Sequence, residues 1–227
     1  MCGIVGVVGT GDVAGRLLAG LRRLEYRGYD SAGIATVVDG SLERRRAKGK
    51  IGELETLLSR APLGGEIGIG HTRWATHGVP NEINAHPHAT TKVAAVHNGI
   101  IENFAELRDE LVGAGRNFES GTDTEAVVHL ISSYLDQGDS PQTAVARSLK
   151  RLEGAFSLAI VFAGELNLMI GARRGSPLAV GWGDDEMFLG SDAIALASET
   201  NRISYLEDGD WVELTRTSAV FHDAEDQ

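Results

Sequence analysis

The sequence predicts an α+β domain in which many short strands and about four helices pack as layers. Three observations lead there. Short apolar runs bounded by turn residues recur from end to end, amphipathic stretches at helical spacing interrupt them, and neither a repeat nor a low-complexity segment breaks the pattern. At 227 residues, 42% hydrophobic and 23% charged, the chain has an ordinary globular composition and can bury a substantial core.

The elements follow in order. Gly3 to Val8 reads as a strand that begins directly at Cys2. Val13, Leu17, Leu18, Leu21 and Leu24 recur at helical spacing, with Asp12 placed to cap the start. Gly33 to Val38 and Leu42 to Ala47 read as two strands joined at Asp39-Gly40, a strong hairpin turn signal. Gly52 to Leu58 predicts a short helix, and Glu66 to Gly70 and Val93 to His97 predict strands. Between those two, His71 to Thr91 is dense in His, Asn, Thr and Pro. It is too polar for a core element and too long for an ordinary connector, which marks a candidate functional loop. Helices are expected over Phe104 to Gly113 with Asn103 as cap, over Asp123 to Asp136 with Thr122 or Asp123 as cap, and over Pro141 to Leu152. From Ala155 the pattern turns to strands: Phe156 to Phe162, Leu166 to Gly171, Leu178 to Val180, Met187 to Leu189, Ile203 to Tyr205 and Asp210 to Leu214.

Charge and cysteine usage exclude several function classes. A net charge of −11 disfavours non-specific binding to nucleic acid or an anionic membrane. The basic run Arg44-Arg45-Arg46 is short and reads as a solvated strand or turn face. Apolar runs such as Ile4 to Val8 stop well short of the roughly 18 residues a membrane span needs. The N-terminus has no secretory pattern, and a single cysteine forms no internal disulfide, so the expectation is a cytoplasmic protein with a free thiol.

Four groups of residues could carry chemistry. Cys2 alone could be small apolar filler at the head of a strand. Removal of Met1, which a small second residue permits, would instead give one residue a thiol and a free α-amine, with reference pKa values of about 8.5 and about 7.7 to 8.0. That is a nucleophile with its own base. Arg73, in the run His71-Thr72-Arg73-Trp74-Ala75-Thr76-His77-Gly78, suits bidentate recognition of a carboxylate, or else stacks on Trp74 at the surface. The Asn98 side-chain amide and the Gly99 N–H could form a minimal oxyanion hole, although taken alone Asn-Gly reads first as a tight-turn dipeptide. Asp123 is either a helix cap or a carboxylate for a substrate ammonium. Five of the seven histidines (His71, His77, His86, His88 and His97) fall close together, but no H-E-x-x-H or paired C-x-x-C spacing supports a metal site.

Taken together, Met1-Cys2-Gly3-Ile4-Val5-Gly6, the run from Arg23 to Gly33 containing Arg27-Gly28-Tyr29-Asp30-Ser31-Ala32-Gly33, the His71 to Gly78 run, Asn84-Ala85-His86-Pro87-His88 and His97 to Asn103 closely resemble the glutaminase domain of the glucosamine-6-phosphate synthase family. The resemblance covers essentially the whole chain. Cys-Gly-Ile is shared by every N-terminal-cysteine amidotransferase; the Arg27 to Gly33 and Arg73 to His77 runs point to this branch more narrowly. It implies the N-terminal nucleophile hydrolase fold, a four-layer αββα sandwich, with residues 1–227 as one glutaminase domain. It also implies roles. Cys2 attacks the side-chain amide of L-glutamine; Asn98 and the Gly99 N–H stabilise the oxyanion; Arg73, with Thr76 and His77, holds the substrate carboxylate; Asp123 and the Gly99 carbonyl hold its ammonium. Arg27 is expected to position the N-terminal residue and Trp74 to gate ammonia. No cofactor or metal is implied. The expected partners are two sugar-isomerase domains of the same full-length chain, in a homo-oligomer; residues up to Gln227 leave no segment for them, so ammonia would pass into water. A catalytically silent glutamine-binding module and another amidotransferase branch are the competing readings.

Overall fold

Strand β1 (Gly3–Val8) alternates its side chains between two apolar layers. Ile4 and Val8 enter one cluster of buried residues, Val5 and Val7 another, as the two-residue period of a strand buried on both faces requires. A computed structural model describes residues 2–74 and 81–225. Around β1 lies a seven-stranded sheet. In spatial order it runs β11 (Ile203–Tyr205), β9 (Ala179–Trp182), β10 (Met187–Gly190), β1, β4 (Ile67–Arg73), β2 (Ser31–Val38) and β3 (Ser41–Lys48), and every pairing is antiparallel. The second sheet, also antiparallel, runs β13 (Ala219–His222), β12 (Trp211–Leu214), β8 (Met169–Arg174), β7 (Gly154–Phe162), β6 (Val93–Ile101) and β5 (His88–Ala89).

The sheets pack face to face. Ile4, Val8, Ile67 and Ile69 from the first meet Ala94, Val96, Ala159 and Val161 from the second in one buried layer. Helices α1 (Ala14–Leu24) and α2 (Ile51–Arg60), with the short α6 (Ala193–Leu196), cover the outside of the first sheet through Leu17, Leu21, Leu54 and Leu196. Helices α3 (Phe104–Gly113), α4 (Thr124–Asp136) and α5 (Pro141–Leu149) cover the second through Leu107, Leu111, Val127 and Val145. The result is the expected four-layer αββα sandwich.

Elements with strong local signals lie close to their predicted bounds. β1, α3 and β11 coincide with them, and Asp39 and Gly40 take φ of 49° and 78°, the left-handed pair that closes a two-residue hairpin. The differences cluster around the polar segment. β4 runs on to Arg73 because residues 71 to 73 are flanked by strands on both sides, Gly3 opposite Thr72 and Ser31 opposite Arg73. β6 continues through Asn98 and Gly99 to Ile101, so Asn-Gly is no turn here. His86 and His88 are buried, not loop surface, since their ring nitrogens find hydroxyl partners inside. Two expected caps do other work: Asn103 bridges the Arg151 carbonyl and the Glu153 N–H, and Asp123 accepts from the N–H of Ile101. The basic run is not a solvated face. Arg46 donates to the Ile83 and Ala85 carbonyls and Arg44 to that of Pro87, clasping the polar segment, while Arg45 donates to Ala61. Strands β5 and β13 and helix α6 had no sequence signal strong enough to predict them.

Candidate active site

Three strand ends meet at one edge of the sandwich. Cys2 stands immediately before β1, Arg73 closes β4 with Trp74 next, and Asn98 and Gly99 lie near the end of β6. The register that sets Gly3 opposite Thr72 brings the Trp74 N–H to 3.2 Å from Cys2 Sγ, with the Trp74 carbonyl at 3.5 Å. From the other sheet, Asn98 Nδ2 donates to the Cys2 carbonyl at 3.1 Å. Residues 96 positions apart in the chain thus meet at Cys2.

Two glycines make this approach sterically possible. A Cβ at Gly28 would lie 2.7 Å from the Arg73 carbonyl carbon and 2.9 Å from the Trp74 nitrogen, so only hydrogen lets the turn after α1 pack against the end of β4. Gly99 has φ of +116°, and a Cβ there would fall 2.0 Å from the Ala155 carbonyl oxygen. No L side chain fits that position.

On the inner side of Cys2 a narrow recess is lined by Arg73, His86, His97, Gly99, Thr122 and Asp123. It is charged and buried. Arg73 is 4% and Asp123 6% exposed. Burial pulls the Arg73 guanidinium below its ordinary pKa, opposed by the carboxylates of Asp30 and Asp123. Asp123 is held by the Ile101 N–H at 2.9 Å, with His97 Nδ1 3.8 Å from its other oxygen. Four of the clustered histidines sit beneath. His71 and His86 stack at 4.3 Å, Thr124 Oγ1 joins His86 Nε2 (2.7 Å) to His97 Nδ1 (3.0 Å), and His88 Nε2 meets Thr122 Oγ1 at 2.9 Å. Burial drives all four imidazoles below their usual pKa, His71 and His88 to about 3, so they are neutral at working pH. One nitrogen of each ring meets a hydroxyl or a carbonyl, and no group of three His, Cys, Asp or Glu among the described residues is arranged to hold a metal.

On the outer side a cavity of about 430 Å³ opens, lined by Cys2, Arg27, Trp74, Ile100, Pro177 and Ser191 among others. Its walls are mostly apolar. Trp74 is 46% exposed and meets Tyr29 edge to face at 5.4 Å. Arg27 does not hydrogen-bond Cys2; it pairs with Asp192, and its Nε donates to the Tyr26 hydroxyl at 3.1 Å.

Burial pushes the Cys2 thiol up, while the Trp74 N–H and Arg73 pull it down. A net upward shift keeps Sγ protonated at rest, so attack requires a base at the moment of reaction. Among the described residues no histidine hydrogen-bonds Sγ.

The structure therefore brings together Cys2, Arg73, Trp74, Asn98, Gly99 and Asp123, with Arg27 one cavity wall away; Thr76 and His77 lie outside the described residues. Sequence reasoning missed Ser191 and Asp192. Ser191 Oγ accepts from the Ile4 N–H at 3.0 Å and its own N–H donates to the Ile4 carbonyl, tying the start of β1 to the end of β10. Asp192 anchors Arg27 and caps α6 through the Ile194 N–H, and a Ser-Asp pair after an apolar run was the available signal.

Comparison with known proteins shows the family. Residues 71–198, more than half of the chain, match the family model described as the glutamine amidotransferase domain. The chain is 63% identical over 223 residues to a glutamine–fructose-6-phosphate aminotransferase [isomerizing] of Brucella abortus, covering 98% of this chain and 37% of the relative. It is 60% identical over 227 residues to the protein of the same name from Zymomonas mobilis, again over 37% of that protein's length. The chain thus spans little more than a third of these relatives. Among solved structures it is similar to glutamine phosphoribosylpyrophosphate amidotransferase from B. subtilis, with a TM-score of 0.83 and 26% identity over 98% of this chain and 49% of that one. A glutamine aminotransferase class-II domain protein from Silicibacter pomeroyi, at 16% identity and a TM-score of 0.67, shares the fold.

Proposed function

The chain belongs to the glutamine amidotransferase domain family, with the N-terminal nucleophile hydrolase fold, and on that premise we propose that Cys2 releases ammonia from the side chain of L-glutamine as the processed N-terminal residue. One observation carries the proposal. The thiol lies between a buried, oppositely charged recess and an apolar cavity, with the Asn98 amide beside it.

Each part of the geometry has a use. Arg73 and Asp123 supply one positive and one negative group for the carboxylate and ammonium of a free amino acid, with Thr76, His77 and the Gly99 carbonyl as further contacts. The α-amine of Cys2 takes the thiol proton as Sγ forms a bond to the amide carbon. Asn98 Nδ2 and the Gly99 N–H stabilise the resulting oxyanion. Collapse breaks the carbon–nitrogen bond, the amine returns its proton to the leaving nitrogen, and ammonia departs. A thioester remains, and water hydrolyses it to glutamate and free thiol. Ammonia is small and neutral, and the apolar outer cavity past Trp74 suits its exit, with Arg27 and Asp192 bracing one wall. Residues 1–227 would form a glutaminase domain in a longer enzyme whose sugar-isomerase domains, in a homo-oligomer, use the ammonia to convert fructose 6-phosphate to glucosamine 6-phosphate.

The test uses chain from which Met1 has been removed. It should convert glutamine to glutamate and ammonia, Cys2→Ala should abolish this while leaving the circular-dichroism spectrum unchanged, and an electrophilic glutamine analogue should add to Cys2 alone. Residual turnover in the alanine variant would refute the mechanism.

A further inference from the structure

The Asn98 carboxamide can help an oxyanion in one of its two orientations only, and the structure shows what selects it. Its Oδ1 lies 3.1 Å from His71 Nε2, and the same ring nitrogen lies 2.9 Å from the His97 carbonyl oxygen. Its Nδ2 lies 3.1 Å from the Cys2 carbonyl oxygen. A backbone carbonyl can only accept a hydrogen bond, so the two carbonyls polarise the chain from opposite ends. His97 O requires the proton on His71 Nε2; Cys2 O requires the amide nitrogen, not the oxygen, on its side. Rotating the carboxamide by half a turn would set oxygen against oxygen at Cys2 and leave Nε2–H facing an NH₂ group.

We propose that His71 is a positioning residue for the oxyanion hole: its Nε2–H, shared between the His97 carbonyl and Asn98 Oδ1, locks the Asn98 amide with Nδ2 toward the reacting centre. The inference rests on Asn98 being an oxyanion donor. Nδ2 carries two hydrogens, and with one spent on the Cys2 carbonyl the other remains for charge that develops beside Sγ. The imidazole suits the task because its proton count does not change: it is fully buried, stacked on His86, and neutral well below the pH of the reaction. Preorganised donors cost no reorganisation when charge appears, and a freely turning amide would lose that advantage.

A double-mutant cycle on processed chain decides it. His71→Phe keeps a planar ring but removes the N–H; kcat should fall by about tenfold or more with KM for glutamine changed by less than about threefold. Asn98→Ala should fall further, and adding His71→Phe to it should cost little more, since the amide to be oriented is gone. Independent, multiplicative losses would overturn the proposal. Unchanged kcat in Asn98→Ala alone would overturn the oxyanion reading and the proposal with it; a loss there without a loss in His71→Phe would overturn the proposal only. Should the phenylalanine variant not fold, His71→Gln and His71→Asn decide. A glutamine amide nitrogen reaches the Nε2 position and should hold kcat within about threefold of wild type, whereas asparagine, one bond shorter, should lose about tenfold. Equal rates in the two would contradict the assignment.

Discussion

The recess and the cavity share Cys2, Trp74 and Gly99, yet they are built in opposite ways. The recess is walled by Arg73, Asp123 and buried imidazoles, each held by a hydrogen bond or an opposing charge from another element. The cavity is walled by Trp74, Ile100 and Pro177, with Trp74 and Ile100 substantially exposed. The difference teaches which side demands discrimination. A zwitterion must be recognised by fixed charges whose desolvation is already offset by the fold, whereas a small neutral product needs only an unobstructed, weakly interacting passage.

The sharpest way to break this comparison lies at the boundary between the two. If Asn98 is the oxyanion donor proposed above, Asn98→Ala removes a donor to charge that exists only at the tetrahedral intermediate, and kcat should fall roughly 10² to 10³-fold, about 2.7 to 4 kcal/mol, with KM little changed. Steady-state kinetics that showed a raised KM and intact kcat would move Asn98 into substrate binding. Arg73→Ala acts on the recess alone. The carboxylate it would hold is charged in the ground state too, so KM should rise by roughly ten- to a hundredfold, about 1.5 to 3 kcal/mol, before kcat moves. An isothermal titration of Cys2→Ala with glutamine, with and without Arg73→Ala, reads the same loss without turnover.

The recess should also set the acid sensitivity of the fold. His71 and His88 are held near a pKa of 3 by burial, against about 6.5 in an unfolded chain. Their folded values are depressed, so unfolding takes up protons between those limits. Their contribution is whole above about pH 6.5 and is lost as pH falls toward 3, at up to about 1.4 kcal/mol per pH unit for each histidine. Urea unfolding at pH 7, 6 and 5 should show falling stability, and His71→Gln should make the slope shallower by one histidine's share. A flat profile would mean that these rings accept protons without leaving the core. The smallest effect belongs to the cavity. The hydrogen bonds of Trp74 to Sγ run through its backbone N–H and carbonyl, so Trp74→Ala should change glutaminase kcat/KM by less than about threefold. A large loss in a direct ammonia assay would show that the indole serves the chemistry.

The same contrast runs through what could be read from the sequence. Strands such as β1 and β7 and helix α3 were legible because period and turn residues are local signals. Cys2 and Arg73 stood out by residue type as candidates, whereas Asn98 and Asp123 were singled out by the family resemblance. What was not legible depends on partners far along the chain. Asp123 reads locally as a cap, but its carboxylate is taken by Ile101. Arg44 and Arg46 read as solvated until the polar segment folds across them. The Asn-Gly pair reads as a turn until β7 pairs along it and Ala155 leaves no space for a side chain at Gly99. Ser191 finds its partner 187 residues away, a separation that no local pattern encodes.

The central claim is that the base is the α-amine of Cys2: burial pushes the thiol up, and among the described residues no histidine hydrogen-bonds Sγ. Its most direct test is the glutaminase rate of a chain that retains Met1, or any residue before Cys2, with the extension verified by intact mass. Such a chain keeps the thiol but turns the amine into a peptide nitrogen, and the account predicts near-zero turnover from pH 6 to 9 alongside an active processed chain. Equal rates in the two would contradict it and assign the proton to another group.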